Sequence, residues 1–140
     1  MKIIYRTKDN KEFDTEKEAV YHERSLQRNT EVNTTQMIVF DLIKRASFNG
    51  FDGEHTVNYL IKNKNKWIGV MPEIEDYALR DIDDDIFHID TLLVKCESIE
   101  VAKEFLPLLK RNLSPDEIDL IEDTQDYNGK SKRIIRMWWD

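Results

Sequence analysis

The sequence contains little glycine, proline or cysteine: four, three and one among 140 residues. So few glycines and prolines exclude collagen-like, linker-like and low-complexity tracts. The lone Cys96 cannot form an internal disulfide, so folding does not depend on an oxidising compartment. The chain has no long apolar run for a membrane span, and its first residues lack the apolar stretch of a signal peptide. These absences predict a soluble, cytoplasmic protein.

What the chain does contain is enough for a core, because 40% of its residues are hydrophobic and 35% are charged. We therefore expect one domain over residues 1–140. The net charge of −7 is unevenly distributed. Residues 72–126 carry 17 acidic and 5 basic side chains, a net charge of −12, whereas both flanking parts are weakly positive. Such a chain should be repelled by nucleic acid and attracted to basic protein surfaces.

Hydrophobic spacing and capping residues predict the elements of the first half of the chain. They favour a strand at 2–7, a helix from Asp14 or Thr15, a second helix at about 36–48 capped by Thr34 or Thr35, and a hairpin of strands at 56–61 and 67–71.

In the second half, residues 73–85 are expected to be irregular or strand-like and residues 86–95 to form a strand. Ser98 caps a helix that Pro107 should kink or end. Beyond it, Ser114 resembles a helix start, whereas Asn128-Gly129 is a strong hairpin signal. We expect one helical turn near Ser114, followed by a hairpin of 119–127 with 130–139.

This order of elements predicts an α+β fold, mainly an antiparallel sheet with about three helices. In the last strand, Trp138 and Trp139 should point to opposite faces, so at least one should be partly exposed.

The sequence offers no pattern that is typical of an active site. No two histidine or cysteine residues have metal-ligand spacing, and the alternating Asp81, Asp83 and Asp85 lack the glycine and glutamate of a calcium loop. A lone cysteine at a strand end, such as Cys96, is more often a packing residue than a nucleophile. We therefore predict that the protein is not an enzyme and binds no metal or cofactor.

The most distinctive feature is a dense acidic stretch, opposed only by Arg80. Its members are Glu73, Glu75, Asp76, Asp81, Asp83, Asp84 and Asp85. Most charge runs are solvated faces, but this one alternates with apolar residues such as Ile74, Leu79 and Ile82, so folding could fix its carboxylates on an ordered surface. A fixed row of carboxylates can imitate phosphates and occupy a basic, nucleic-acid-binding groove.

Two small basic clusters lie beside tryptophans, at 62–67 and 130–139. Lysines on solvated strand edges, which oppose aggregation, explain both. The alternative is a site for a small nucleotide, in which Arg133 and Arg136 bind phosphate and Trp138 stacks on the base.

The opening Tyr5-x-Thr7-Lys8-Asp9-x-Lys11-Glu12-Phe13-Asp14-Thr15-x-x-Glu18-Ala19, followed by His22-Glu23, resembles the N-terminus of many small proteins of phages and prophages of low-GC Gram-positive bacteria. Asn10 stands where those proteins often have glycine, and no functional residue can be carried over. The resemblance implies an inhibitor of host enzymes or of bacterial immunity, a class that includes anti-CRISPR proteins.

The leading hypothesis combines the resemblance with the acidic stretch: a non-enzymatic inhibitor of a basic, nucleic-acid-handling bacterial protein such as a nuclease, with no direct contact to nucleic acid or membrane. The alternatives are a module that sequesters a nucleotide signal and a phage accessory or structural protein. The sequence does not indicate the oligomeric state.

Overall fold

The computed structural model of the chain describes residues 4–6, 12–13, 31–125 and 131–140. In chain order, its elements are β1 (Tyr5–Arg6), β2 (Glu12–Phe13), α1 (Thr34–Lys44), β3 (Ser47–Phe48), β4 (Phe51–Asp52), α2 (Gly53–Lys62), a 3-10 helix (Lys64–Lys66), β5 (Gly69–Pro72), α3 (Tyr77–Ile82), β6 (Thr91–Lys95), α4 (Ile99–Leu113), β7 (Glu117–Ile121) and β8 (Ile134–Trp138). Antiparallel strands and separate helices confirm the predicted α+β class. The helix predicted from Asp14 or Thr15 lies outside the described residues.

The main sheet has the strand order β5-β6-β8-β7, and each neighbouring pair is antiparallel. β8 therefore lies inside the sheet, between β6 and β7. Alternate residues of the strands form one buried face: Val70, Leu92, Val94, Ile135 and Met137. The short pairs β1–β2 and β3–β4 are separate two-stranded ladders.

Helices α1, α2 and α4 contribute the other half of the hydrophobic core. Their fully buried side chains are Phe40 and Ile43 on α1, Val57 and Leu60 on α2, and Phe105 and Leu109 on α4. They form one hydrophobic cluster with the buried face of the sheet. Burying each such side chain stabilises the fold by about 1.5–3 kcal/mol before the loss of conformational entropy is counted.

Residues 56–61 belong to helix α2, so the predicted hairpin between 56–61 and 67–71 is wrong. The Asp52 carboxylate accepts a 3.1 Å hydrogen bond from the His55 backbone amide and caps the helix. Thr56, Val57 and Leu60 are then buried at helical spacing. The predicted strand 67–71 is present as β5, which begins only at Gly69 and ends at Pro72.

The helix that follows Ser98 extends past Pro107 to Leu113. The Ser98 hydroxyl caps it, accepting a 3.2 Å hydrogen bond from the Val101 amide, but Pro107 lies inside the helix without ending it. A proline there removes one helical hydrogen bond. The apolar stripe of α4, which includes Phe105 and Leu109, is buried on both sides of Pro107, and this burial offsets the loss.

The C-terminal region forms a hairpin, as predicted, but its strands β7 and β8 pair over 117–121 and 134–138 rather than over 119–127 and 130–139. Asn128-Gly129 lies outside the described residues. No helical turn begins at Ser114, so that prediction is wrong. Ser114 instead ends α4 in the left-handed conformation, with φ of 50°. Trp139 is buried and Trp138 is half-buried, as the opposite-face prediction requires.

Three other predicted elements differ from the structure. Helix α1 covers Thr34–Lys44 rather than 36–48, and Ser47–Phe48 form β3 instead of its last turn. Asn33, not Thr34 or Thr35, is its cap, and accepts a 2.8 Å hydrogen bond from the Gln36 amide. The predicted strand 86–95 is ordered as β6 only from Thr91. The segment 73–85, expected to be irregular or strand-like, contains the short helix α3.

One side chain forms hydrogen bonds to the outer edge of β5. The Gln36 side-chain nitrogen donates to the Val70 carbonyl at 2.8 Å, and the Val70 amide donates to the Gln36 side-chain oxygen at 2.8 Å. Pro72, at the end of the same strand, has no amide hydrogen to offer. Gln36 therefore occupies the position of a further strand and blocks edge-to-edge pairing.

Replacing Gln36 with alanine should destabilise the fold by about 1–3 kcal/mol, because the Val70 amide and carbonyl would lose their partners. Urea denaturation followed by circular dichroism measures the change. The exposed neighbour Thr35 provides the control, and Thr35→Ala should change stability by no more than about 0.5 kcal/mol. Equal midpoints for the two variants would contradict the sealing role.

Candidate functional site

The acidic segment, which we define as residues 73–86, follows β5 and contains α3. Tyr77 anchors its helix. The Tyr77 hydroxyl donates a 2.8 Å hydrogen bond to one carboxylate oxygen of Asp90, and the Thr91 hydroxyl donates to the other at 2.8 Å. Burial, followed by the hydrogen bond to Asp90, raises the pKa of Tyr77 to about 12, so the hydroxyl remains a donor at neutral pH.

Asp81 forms the second anchor and points inward. One carboxylate oxygen lies 3.2 Å from His88 Nδ1, and the other lies 3.0 Å from Arg80 Nε. The His88 ring packs against Phe48 and Tyr77, with ring centroids 4.1 Å and 4.7 Å away. Asp81 therefore fixes α3 rather than presenting its charge to solvent.

Two further acids of the segment are tied to other elements. Glu73 Oε2 lies 3.0 Å from Arg136 Nε on β8, and Asp85 Oδ1 lies 3.2 Å from Arg45 Nη2 at the end of α1. Asp85 is nevertheless almost fully exposed. The Asp85–Arg45 pair thus lies at the surface, where such a pair contributes little to stability.

The remaining four acids are exposed, and none forms an ion pair with another described residue: Glu75, Asp76, Asp83 and Asp84. The turn after α3 is itself hydrogen-bonded. The Asp84 amide donates to the Asp81 carbonyl at 3.1 Å, and the Asp85 amide donates to the Ile82 carbonyl at 2.9 Å. Backbone bonding therefore orders the turn that carries Asp83, Asp84 and Asp85.

The acidic segment also exposes large apolar side chains, a feature that the sequence analysis does not predict. The exposed fractions are 57% for Ile74, 76% for Leu79, 58% for Ile82 and 52% for Ile86. Leu79 and Ile82 are three residues apart, a spacing that places them on one face of α3. The surface is consequently both acidic and apolar.

The residues of the alternative nucleotide site are only partly brought together. Strand alternation places Arg136 and Trp138 on one face of β8. Arg133 precedes the strand, and its Nε lies 2.9 Å from the Asp123 carboxylate. Arg136 is paired with Glu73, so both guanidinium groups already have carboxylate partners.

Asp123 is the centre of a buried charge cluster. Only 4% of its side chain is exposed, and its carboxylate lies 3.1 Å from Lys95 Nζ as well as close to Arg133. The Gln125 amide donates to it at 3.0 Å. Burial opposes its ionisation, but the hydrogen bonds from Lys95, Gln125 and Arg133 outweigh burial, and the pKa of Asp123 lies below its ordinary value.

Cys96 is fully buried, and burial raises its thiol pKa to about 12, so the thiol stays protonated at neutral pH. Across residues 31–125 and the other described ranges, no three His, Cys, Asp or Glu side chains are grouped to hold a metal ion. No helix in the same ranges is long and apolar enough to cross a membrane. The cytoplasmic location and the absence of enzymatic activity stay predictions.

Comparison of the chain with protein-family models, with curated proteins and with solved structures finds no match. The N-terminal resemblance to phage and prophage proteins stays a prediction, and most of the residues that carry it lie outside the described ranges. The acidic segment is therefore the main basis on which a function can be argued.

Proposed function

We propose that this chain is a non-enzymatic inhibitor that binds a basic surface of a nucleic-acid-handling bacterial protein through its acidic segment. The observation that carries the proposal is the set of exposed carboxylates on Glu75, Asp76, Asp83 and Asp84, which are without ion-pair partners in the described part of the chain. Their repulsion from nucleic acid and attraction to lysine and arginine favour a protein partner. The bacterial target class rests on the N-terminal resemblance.

Ordered carboxylates suit this role for a physical reason. Charges that are held by a helix and a hydrogen-bonded turn lose little conformational entropy on binding, so more of the electrostatic attraction remains as affinity. The attraction also acts over a distance of about 8–10 Å at physiological ionic strength and raises the association rate. The net charge of −12 over residues 72–126 strengthens this steering.

The nucleotide-sequestering alternative has less support. A phosphate that reached Arg133 or Arg136 would have to displace the carboxylate of Asp123 or Glu73. Removing Asp123 from its two cations would also break the buried cluster. No specific observation favours the accessory or structural alternative.

Neutralising the four exposed acids, with Glu75→Gln, Asp76→Asn, Asp83→Asn and Asp84→Asn in one variant, should weaken partner binding about tenfold or more, chiefly through slower association. The partner is captured from a Gram-positive lysate by the wild-type chain, and its affinity is then measured at rising salt concentration. We expect a basic, nucleic-acid-handling protein, bound more weakly as salt rises.

A matched control neutralises four exposed acids elsewhere: Glu54, Glu100, Glu104 and Glu117. It changes the net charge equally and should retain most of the affinity. Equal loss in both variants would contradict a role for the acidic segment, and so would no loss in either. Calorimetric heat with cyclic or ADP-ribose-type nucleotides, abolished by Arg136→Ala or Trp138→Ala, would favour the nucleotide alternative instead.

A further inference from the structure

A groove with a volume of about 270 Å³ lies between the second half of α1 and the acidic segment. It is lined by Leu42, Arg45, Ile82, Asp85, Ile86 and Phe87. Sites for small molecules usually measure about 300–1,000 Å³, so this groove has room for one or two large side chains rather than a cofactor.

The apolar lining of the groove is only partly covered. Leu42 is 43% exposed, and Ile82 and Ile86 are more than half exposed. Ile38, one helical turn before Leu42, is 59% exposed and extends the apolar surface along α1. Adjacent exposed aliphatic side chains around a concave site are typical of a surface that a partner covers, because water contact with them is unfavourable.

The walls of the groove are held in place before any partner arrives. Tyr77 and Asp81 anchor α3 through Asp90 and His88, as described above. The exposed Asp85–Arg45 pair, which contributes little to stability, also spans the two walls. A preformed groove avoids much of the ordering cost that a mobile surface would incur on binding.

The charges beside the groove determine which partner fits. Asp83 and Asp84 are exposed next to the lining residues Ile82 and Asp85. Among the described lining residues, Arg45 is the one cation, and it already faces Asp85. A lysine or arginine beside an apolar anchor would therefore meet an excess of carboxylates. Charge complementarity favours a basic partner segment.

The backbone of the walls favours a helical segment over an extended one. An extended peptide needs main-chain partners from a strand edge. Here one wall is helix α1, and in the other the Asp85 and Ile86 amides donate to the Ile82 and Asp81 carbonyls. A helix forms its backbone hydrogen bonds internally and presents only side chains to its surroundings. An apolar groove can bind such side chains without offering backbone partners.

We propose that this groove binds an amphipathic, basic helix of the protein partner. Apolar side chains one turn apart enter between Leu42 and Ile82, and flanking lysine or arginine side chains meet Asp83 and Asp84. The inference rests on the proposed function and specifies which element of the partner is recognised.

The test selects peptides from a displayed random library of 15-residue sequences against the full chain. The selected peptides should carry large apolar residues three or four positions apart and several lysines or arginines. A synthesised selected peptide is then measured by fluorescence anisotropy. Leu42→Ser and Ile82→Ser should each weaken its binding at least tenfold while circular dichroism and the thermal midpoint show an intact fold.

Ile74→Ser is the matched control, because Ile74 is as exposed as Ile82 and lies in the acidic segment without lining the groove. It should change the affinity less than twofold. Equal weakening by Ile74→Ser would overturn the inference, and so would a failure to enrich any peptide. A dimer of the chain that Leu42→Ser dissociates would assign the groove to self-association instead.

Failure of the groove and failure of the proposed function give different results. One result would overturn the groove and support the acidic surface. In it, the selected peptides are basic but lack apolar spacing, their affinity is unchanged by Leu42→Ser, and it depends on the four exposed acids. A lysate partner that the Leu42→Ser and Ile82→Ser variants retain at full affinity would also overturn the groove. If the wild-type chain captures no basic protein, the proposed function itself is contradicted.

Discussion

Replacing Asp123 with alanine should lower the free energy of unfolding by about 3–5 kcal/mol, because the substitution removes the buried carboxylate that Lys95 and Arg133 share. Arg133, with only 16% of its side chain exposed, would lose the carboxylate beside its Nε and keep the 3.4 Å hydrogen bond from Nη1 to the Glu97 carbonyl. Lys95 would suffer less, because 35% of its side chain reaches solvent. Urea denaturation at neutral pH measures the loss.

The control for this prediction is Asp119→Ala. Asp119 is an exposed acid on β7 whose register partner on β8 is Arg136. Its removal should change the free energy of unfolding by no more than about 0.5 kcal/mol, as expected for an exposed side chain. Similar losses for Asp119→Ala and Asp123→Ala would contradict the buried-cluster assignment.

The same cluster makes a pH prediction. The pKa of Asp123 in the folded chain lies below its ordinary value, so ionised Asp123 stabilises the fold above the pKa of the unfolded chain, about 3.9. The stabilisation is lost as the pH falls through the folded pKa. The stability difference between wild type and Asp123→Asn should therefore be largest at neutral pH and shrink below about pH 4. A difference that stays constant down to pH 2 would contradict this account.

Truncating Trp139 to alanine should also cost about 3–5 kcal/mol, the range for large aromatic side chains removed from a core. Trp139 is 1% exposed, and its ring centroid lies 4.8 Å from that of Phe51. Its indole nitrogen donates a 3.0 Å hydrogen bond to the Leu113 carbonyl, which the truncation would leave unpaired. Circular dichroism is the suitable probe, because the substitution changes the fluorescence.

The adjacent Trp138 provides the control. It is half-buried, and β8 directs it to the opposite face of the sheet from Met137. Trp138→Ala should cost about 1 kcal/mol, since much less area is removed from contact. If the two substitutions cost the same, the assignment of the tryptophans to a core face and a half-buried face is wrong.

The elements that could be predicted from the sequence are those with local determinants. Ser98 caps α4 through an amide three residues away, and the hairpin signal at Asn128-Gly129 precedes strand β8. The predicted strand at 56–61 is wrong because β-branched and aromatic residues there favour a strand, whereas core packing and the Asp52 cap stabilise a helix. That aspartate, just before a helical pattern, was available as a signal.

The candidate site, too, is only partly predictable from the sequence. The density of carboxylates is visible in the sequence, but their partners are not. The Arg45–Asp85 pair joins residues 40 positions apart, and the Arg136–Glu73 pair joins residues 63 positions apart. Which acids remain exposed therefore depends on the strand order β5-β6-β8-β7, a non-local property that no local pattern encodes.

The position of β8 between β6 and β7 also has a consequence for the order of folding. Until β8 has docked, β6 and β7 are both present, but the strand that joins them is not in place. Each then exposes an unpaired strand edge, a template for aggregation. The pairing of β6 with β8 joins residues such as Val94 and Ile135, distant in sequence, and such contacts form slowly. Refolding at high protein concentration should therefore lose a larger fraction of chains to aggregation than refolding at low concentration.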